Sequence, residues 1–195
     1  MAHPTRDLLL DAGLRVVASS GLARATVDEV TAAAGVAKGT FYVHFSDRSA
    51  FLLAMHSRFR DRIRVALSEV DAGEPGAERL LRGAVAYLEV CLAAPALKAL
   101  ILESRSEPAT HAAESARNRE FAELAAADFT ALGWSHAAAA ARLFCAMCAE
   151  VALAELEAGS RDPEARGALA AFVGGAGGGG NTVPGRPART APTQG

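Results

Sequence analysis

The densest chemistry in the chain lies in one short run, Gly35-Val36-Ala37-Lys38-Gly39-Thr40-Phe41-Tyr42-Val43-His44-Phe45. Lys38, Thr40, Tyr42 and His44 supply an ammonium, two hydroxyls and an imidazole, the groups that meet phosphate oxygens and base edges. Gly39 sits among them, although glycine inside a helix costs about 1 kcal/mol relative to alanine. A backbone without a side chain suits the close approach of a second molecule. Nothing comparable supports catalysis. There is no His-Glu-x-x-His and no phosphate-cradling glycine loop, and the histidines at 3, 44, 56, 111 and 136 are scattered. An enzyme is not expected.

The elements that must position these groups are helices. Leu8, Leu9, Ala12, Val16 and Val17 recur at helical spacing after Pro4, and the segment ends near Gly21, a position for a left-handed cap. Thr26-Val27-Asp28-Glu29 reads as a Thr-x-x-Glu capping box opening a second helix. Asp28 favours that helix N-terminus. This helix stops at Gly35, and a third covers roughly 38–45. Ser46-Asp47 caps a fourth over roughly 48–70, with Phe51, Leu52, Met55, Phe59 and Ile63 on one face. Further helical patterns follow at about 77–93, 96–105, 110–132, 135–158 and 163–173. No alternating strand pattern occurs. The expectation is an all-α chain of about nine helices. The helical patterns end near residue 173, and residues 174–195 read as a disordered tail rich in Gly and Pro.

Composition narrows the possibilities. Within a net charge of −2, residues 1–64 carry nine Lys/Arg against six Asp/Glu and the remainder is acidic, which favours a polyanion-facing N-terminal surface. The alternating Arg58, Arg60, Arg62 and Arg64 read as a solvated helix face. No run of about 18 uncharged apolar residues is present, so no membrane span or membrane partner is expected. The N-terminus lacks a basic signal-peptide region. Three cysteines suit a reducing cytoplasm. Cys145-Ala146-Met147-Cys148 places two thiols on one helix face. A metal site wants further Cys or His nearby and a thiol switch wants exposed thiols. Packing is therefore the leading reading, with no metal or other cofactor. A thiol- or metal-sensing role for Cys145 and Cys148 is the alternative.

Two short helices joined at Gly35-Val36-Ala37 form a helix-turn-helix pattern, whose second helix enters the major groove. The stretch "TVDEVTAAAGVAKGTFYVHFSDRSAFLLAM" resembles the DNA-binding segment of the tetracycline-repressor (TetR) family of bacterial regulators. The resemblance covers roughly residues 5–55 through Thr26, Ala34-Gly35-Val36, Gly39-Thr40-Phe41-Tyr42, His44-Phe45, Arg48 and Leu52. It implies DNA contacts from Thr26, Lys38, Gly39, Thr40, Tyr42, His44 and Arg48, on double-stranded operator DNA. Arg48 stands where the family often has lysine, and Val43 where it often has a longer side chain. Beyond residue 60 the likeness rests on helix count and order. It implies a DNA-binding helix-turn-helix domain over residues 1–47 and a ligand-binding and dimerisation domain over residues 48–173, in a homodimeric regulator, most often a repressor, released from a pseudo-palindromic operator by a small-molecule effector.

Residues 135–158 carry Arg142, Glu150 and Glu157 on one narrow stripe, and the rest is largely apolar. Such a helix is buried from more than one side, which fits a core on one side and a partner subunit on the other. Candidate ligand contacts on the C-terminal helices are Phe59, Tyr87, Cys91, Leu102, Glu103, His111, Phe121, Phe144, Met147 and Cys148. No charge pattern singles out an effector.

Overall fold

Thr26 starts the second helix by accepting the Glu29 N–H at 3.2 Å. The capping box closes on this side only, because the Thr26 N–H donates instead to the Arg24 carbonyl at 2.7 Å. Asp47 caps the fourth helix, its Oδ1 accepting the Ala50 N–H at 2.8 Å. This bond and that from the Ser46 hydroxyl hold the Asp47 carboxyl below its usual range. Asp162 does the same for the last helix through the Ala165 N–H, with Pro163 at the first helical position.

The computed structural model describes residues 4–70, 73–94, 96 and 108–175, the side chains of 108–114 and 117 excepted. In chain order it contains α1 (Pro4–Ser20), a 3₁₀ turn (Leu22–Arg24), α2 (Val27–Ala34), α3 (Lys38–His44) and α4 (Arg48–Val70). These are followed by α5 (Ala77–Leu92), α6 (Pro108–Ala131), α7 (Ala137–Ala158) and α8 (Pro163–Gly174). Among the described residues there is no strand, and the fold is all-α. The helix read at 96–105 lies outside the described residues except for Ala96, as do Leu102, Glu103 and the tail from residue 176.

Helices α1 to α3 pack around Leu9, Leu10, Val17, Leu22, Val30 and Phe41, all nearly or completely buried. Fully burying a side chain of this size stabilises by about 1.5–3 kcal/mol. Helix α4 extends from this cluster into a second group of helices, where it packs on α5 and α6. Helix α7 packs along α6 and touches α5 and α8. Phe129, Trp134, Phe144 and Phe172 form an aromatic cluster there, with ring centroids 5.3–6.4 Å apart.

By length and composition alone α7 could cross a membrane, which the sequence reading did not anticipate. In the fold, its Ala140, Ala141, Phe144, Cys148 and Ala152 are buried in the common core. Its exposed face carries Arg142, Glu150 and Glu157, as the stripe predicts. Glu155, by contrast, is buried to 1% exposure. The Arg166 guanidinium grips it with two bonds of 2.6 and 2.7 Å, and the Asp162 N–H donates to it at 2.9 Å. Arg166 also reaches Glu89 at 2.7 Å, and Arg161 binds the other Glu89 oxygen at 2.8 Å. Helices α5, α7 and α8 are thus tied together by charge as well as by packing.

Arg166 holds the Glu155 carboxyl below the usual carboxylate range, and Arg161 and Arg166 do the same for Glu89. Groups with depressed values contribute stability above their ordinary titration near about pH 4.3, and lose it as the pH falls through the lowered values. These two carboxylates therefore make the fold weaken in acid. Glu155→Gln leaves Arg166 without its buried partner and should cost about 3 kcal/mol at neutral pH, while flattening the acid limb of the stability curve. Urea unfolding across a pH series checks both; a loss well under about 1 kcal/mol would show that the network carries little of the stability.

Candidate nucleic-acid interface and ligand cavity

The turn between α2 and α3 depends on Gly35. Its φ of 68° lies in the left-handed region, and the following Val36 N–H closes the helix end on the Thr31 carbonyl at 3.1 Å. Thr31 is buried and its hydroxyl donates to the Val27 and Asp28 carbonyls at 2.9 and 3.1 Å, so it braces α2 internally. The turn swings α3 across the domain with a sharply two-sided distribution of residues.

The inner side of α3 is aromatic. Phe41 is fully buried and Phe45 nearly so, and both lie against Phe51 of α4 with centroids 5.3 and 5.0 Å away. The outer side holds Lys38, Gly39, Tyr42 and Val43, all exposed; Tyr42 is 52% exposed and Val43 79%. Residues four apart share a helix face, so 38 with 42 and 39 with 43 form one continuous surface. Thr40 and His44 are half-buried on its flanks.

A Cβ built on Gly39 would meet no atom within 4 Å. The packing of this chain therefore gives no reason for glycine there, and its helix cost stands uncompensated inside the molecule. Ala37 provides no side-chain cap for α3. Lys38 pairs with Asp28 across the turn at 2.7 Å, which raises the lysine's pKa.

Arg48 has a different position from the other predicted contacts. Its Nε donates to the Ala25 carbonyl at 3.1 Å and its Nη2 to the Leu22 carbonyl at 2.8 Å. The guanidinium thereby fastens the first turn of α4 to the segment that leads into α2. Thr26, whose hydroxyl oxygen caps α2, lies one residue from that anchor.

A cavity of about 240 Å³ opens between α4, α5, α6 and α7. Leu67, Leu80, Tyr87, Phe121, Leu124 and Phe144 contribute much of its apolar lining. Four predicted contacts, Tyr87, Phe121, Phe144 and Cys148, do line it. Phe59 lines a second cavity between α1 and α4, while Cys91 is buried in the core and Met147 packs against it, neither facing the first cavity. The His111 side chain lies outside the described residues. Sequence reasoning missed Arg64, Arg79, Asn118 and Asp128 on the cavity wall. Arg79 and Asp128 form a two-bond pair at 2.8 and 3.0 Å, and Asp128 also accepts the Gly76 N–H at 2.9 Å. An aspartate inside the otherwise apolar run around Phe129 was the available signal. Cys145 and Cys148 both lie on the wall, and burial pushes the Cys148 thiol far up, which suppresses its thiolate. Among the described residues no group of three His, Cys, Asp or Glu is placed to hold a metal ion.

Residues 9–55 match the family of bacterial regulatory proteins named tetR. Over 88 residues the chain is 33% identical to the HTH-type transcriptional repressor DhaR of Mycobacterium sp. (strain GP1), a match covering 44% of each protein. The chain spans less than half the length of the curated relatives it matches. Its fold is similar to that of a Rhodococcus sp. protein described as a TetR-family transcriptional regulator, with a TM-score of 0.78 and 22% identity over 89% of this chain and 99% of that one. It is also similar to the multidrug binding protein EbrR solved with imidazole, with a TM-score of 0.70 and 21% identity over 86% and 94%. At these identities the structural likeness speaks for the fold.

If Gly39 serves an approaching partner, replacing it should separate stability from binding. Gly39→Ala should stabilise the folded chain by roughly 0.5–1 kcal/mol and weaken its binding to DNA. Unfolding midpoints and DNA titrations on the same preparation test this; a variant that gains stability and binds DNA as before would remove Gly39 from the interface.

Proposed function

The chain belongs to the TetR family of bacterial regulatory proteins, and from that premise we propose that it is a transcriptional regulator, acting as a repressor. It binds a pseudo-palindromic operator as a homodimer in the cytoplasm and is released by a small-molecule effector. The observation that carries this reading is the outer face of α3. A glycine with open space above it stands between Lys38 and Thr40 and beside two exposed side chains, Tyr42 and Val43. Gly39 lets the α3 backbone approach DNA, Lys38 and Tyr42 meet phosphates, and the Thr40 and Val43 methyls suit thymine. His44 adds a flanking phosphate contact and Thr26 one from the start of α2. Arg48 supports them from behind and adds positive charge.

A dimer follows from what α7 and α8 leave uncovered. Leu143, Ala146 and Ala154 on α7 are exposed, as are Gly167, Ala170 and Ala171 on α8. Small residues let helices of a second copy approach closely, and a two-fold pair would present two α3 helices to successive major grooves.

The effector enters the cavity between α4 and α7. Arg79 and Asp128 bind each other and Arg64 pairs with Glu120, so the charges on the wall are matched and the site offers a ligand apolar walls with neutral polar groups such as Tyr87 and Asn118. An uncharged, largely apolar compound fits best. Helix α4 links the two sites: Leu67 and Ser68 border the cavity, and Arg48 holds the segment entering α2. A shift of α4 on ligand binding moves the reading helix. Burial of Cys148 and its place on the cavity lining support a packing role for this cysteine.

Footprinting on the DNA flanking the protein's own coding region, across a salt series, tests the regulator reading. A protected pseudo-palindrome is expected, and Thr40→Ala and Tyr42→Phe should each weaken protection while thermal unfolding stays unchanged. Protection that is equally strong in both variants would remove these contacts. The cavity has its own test. A Cβ at Gly83 would meet only the Leu67 side chain, at 3.5 Å, so Gly83→Leu fills space without a clash at its base. This variant should bind operator normally and resist release by any compound that displaces the unsubstituted protein; normal release would place the effector elsewhere.

A further inference from the structure

The Asp28–Lys38 pair sets a carboxylate against the outer face of α3. Asp28 lies in the first turn of α2 and Lys38 opens α3, so only the helix-turn-helix geometry brings them together. Their charged atoms are 2.7 Å apart, and both side chains are open to solvent, 55% exposed for Lys38 and 73% for Asp28. Neither packing nor burial forces the contact. The other acidic residue of that turn, Glu29, contributes its backbone N–H to the Thr26 cap, whereas the Asp28 carboxylate is directed at the lysine.

We propose that Asp28 is a specificity-setting residue, an internal competitor that holds Lys38 until a correctly placed phosphate displaces it. The proposal rests on the reading of α3 as the DNA-contacting helix. A phosphate bound by Lys38 must take the place that the carboxylate holds in the free protein, and once there it faces a like charge. Exchange of one anion for another has a consequence for salt dependence. A lysine that neutralises a phosphate ordinarily releases a condensed cation, which steepens the fall of affinity with salt. Here the lysine leaves behind a bare carboxylate that attracts a cation in turn, so the net release is smaller. The pair therefore lowers binding to arbitrary DNA, where phosphate contact is all that is gained. At a cognate site the contacts of Gly39, Thr40, Tyr42 and Val43 outweigh it.

Asp28→Asn keeps the size of the side chain and its ability to serve a helix N-terminus, while removing the charge. It should raise affinity for a mixed-sequence synthetic duplex roughly three- to tenfold at moderate salt and steepen the salt dependence by up to about one cation. Affinity for the footprinted operator should rise less, so the specificity ratio falls. Both effects should vanish when Asp28→Asn is made in a Lys38→Ala background, which a role confined to the stability of α2 would not produce. An unchanged affinity and slope in the single variant, or an effect that persists without Lys38, would overturn the role of Asp28. Failure of the unsubstituted protein to bind either duplex would instead overturn the interface reading on which it stands.

Discussion

Three phenylalanine rings make the rest of the architecture possible. Phe41 and Phe45 belong to the short helix α3, and Phe51 to the long helix α4, yet the three form one buried contact with centroids 5.0–5.3 Å apart. A helix of seven residues has little stability of its own, because nucleation is costly and few hydrogen bonds follow it. Its conformation is held by this aromatic contact and by the left-handed turn at Gly35. That support frees the opposite face from any structural duty. Only because the inner face is so firmly anchored can the outer face carry a glycine and large exposed side chains at no risk to the fold.

The same contact makes α4 part of both halves of the molecule. Phe51 binds α4 to α3, and Arg48 binds it to the carbonyls of Leu22 and Ala25. Some way down the same helix, Arg64, Leu67 and Ser68 line the cavity. A helix transmits displacement along its axis because its internal hydrogen bonds resist local deformation, and close-packed neighbours shift between discrete arrangements rather than yielding gradually. The second half is in turn stiffened by buried charge, Asp128 with Arg79 and Glu155 with Arg166. Such pairs add geometric definition wherever every oxygen is bonded. Here they fix α5, α6, α7 and α8 relative to one another.

How much of this was legible depended on whether the cause was local. Helix starts at Thr26, Asp47 and Pro163 were readable because capping acts over three or four residues. The turn at Gly35 was readable for the same reason. The capping box closed on one side only, since the preceding 3₁₀ turn supplied the Thr26 N–H with another acceptor. Buried Glu155 was not legible. Its neighbours in sequence suggest a surface residue, and what permits its burial is Arg166 folding back from the next helix. The cavity was legible in part. Tyr87, Phe121, Phe144 and Cys148 were found by their apolar setting, whereas Arg79 and Asp128 meet across 49 positions that no periodicity connects.

The arginines at alternate positions of α4 show how the fold divides a charge run that the sequence presents as uniform. A solvated face was expected, but residues two apart on a helix point away from each other. Arg58 reaches across to α1, pairing with Asp11 at 2.9 Å and donating to the Asp7 carbonyl at 3.4 Å. Arg64 turns toward α6 and pairs with Glu120 at 2.5 Å. One end of the run thus fastens α4 to α1, and the other to α6 beside the cavity. Exposed pairs contribute little to stability one at a time. Together they add two tethers, one to α1 and one to α6, to a helix whose orientation is set by its buried Phe51, Leu52, Met55, Phe59 and Ile63.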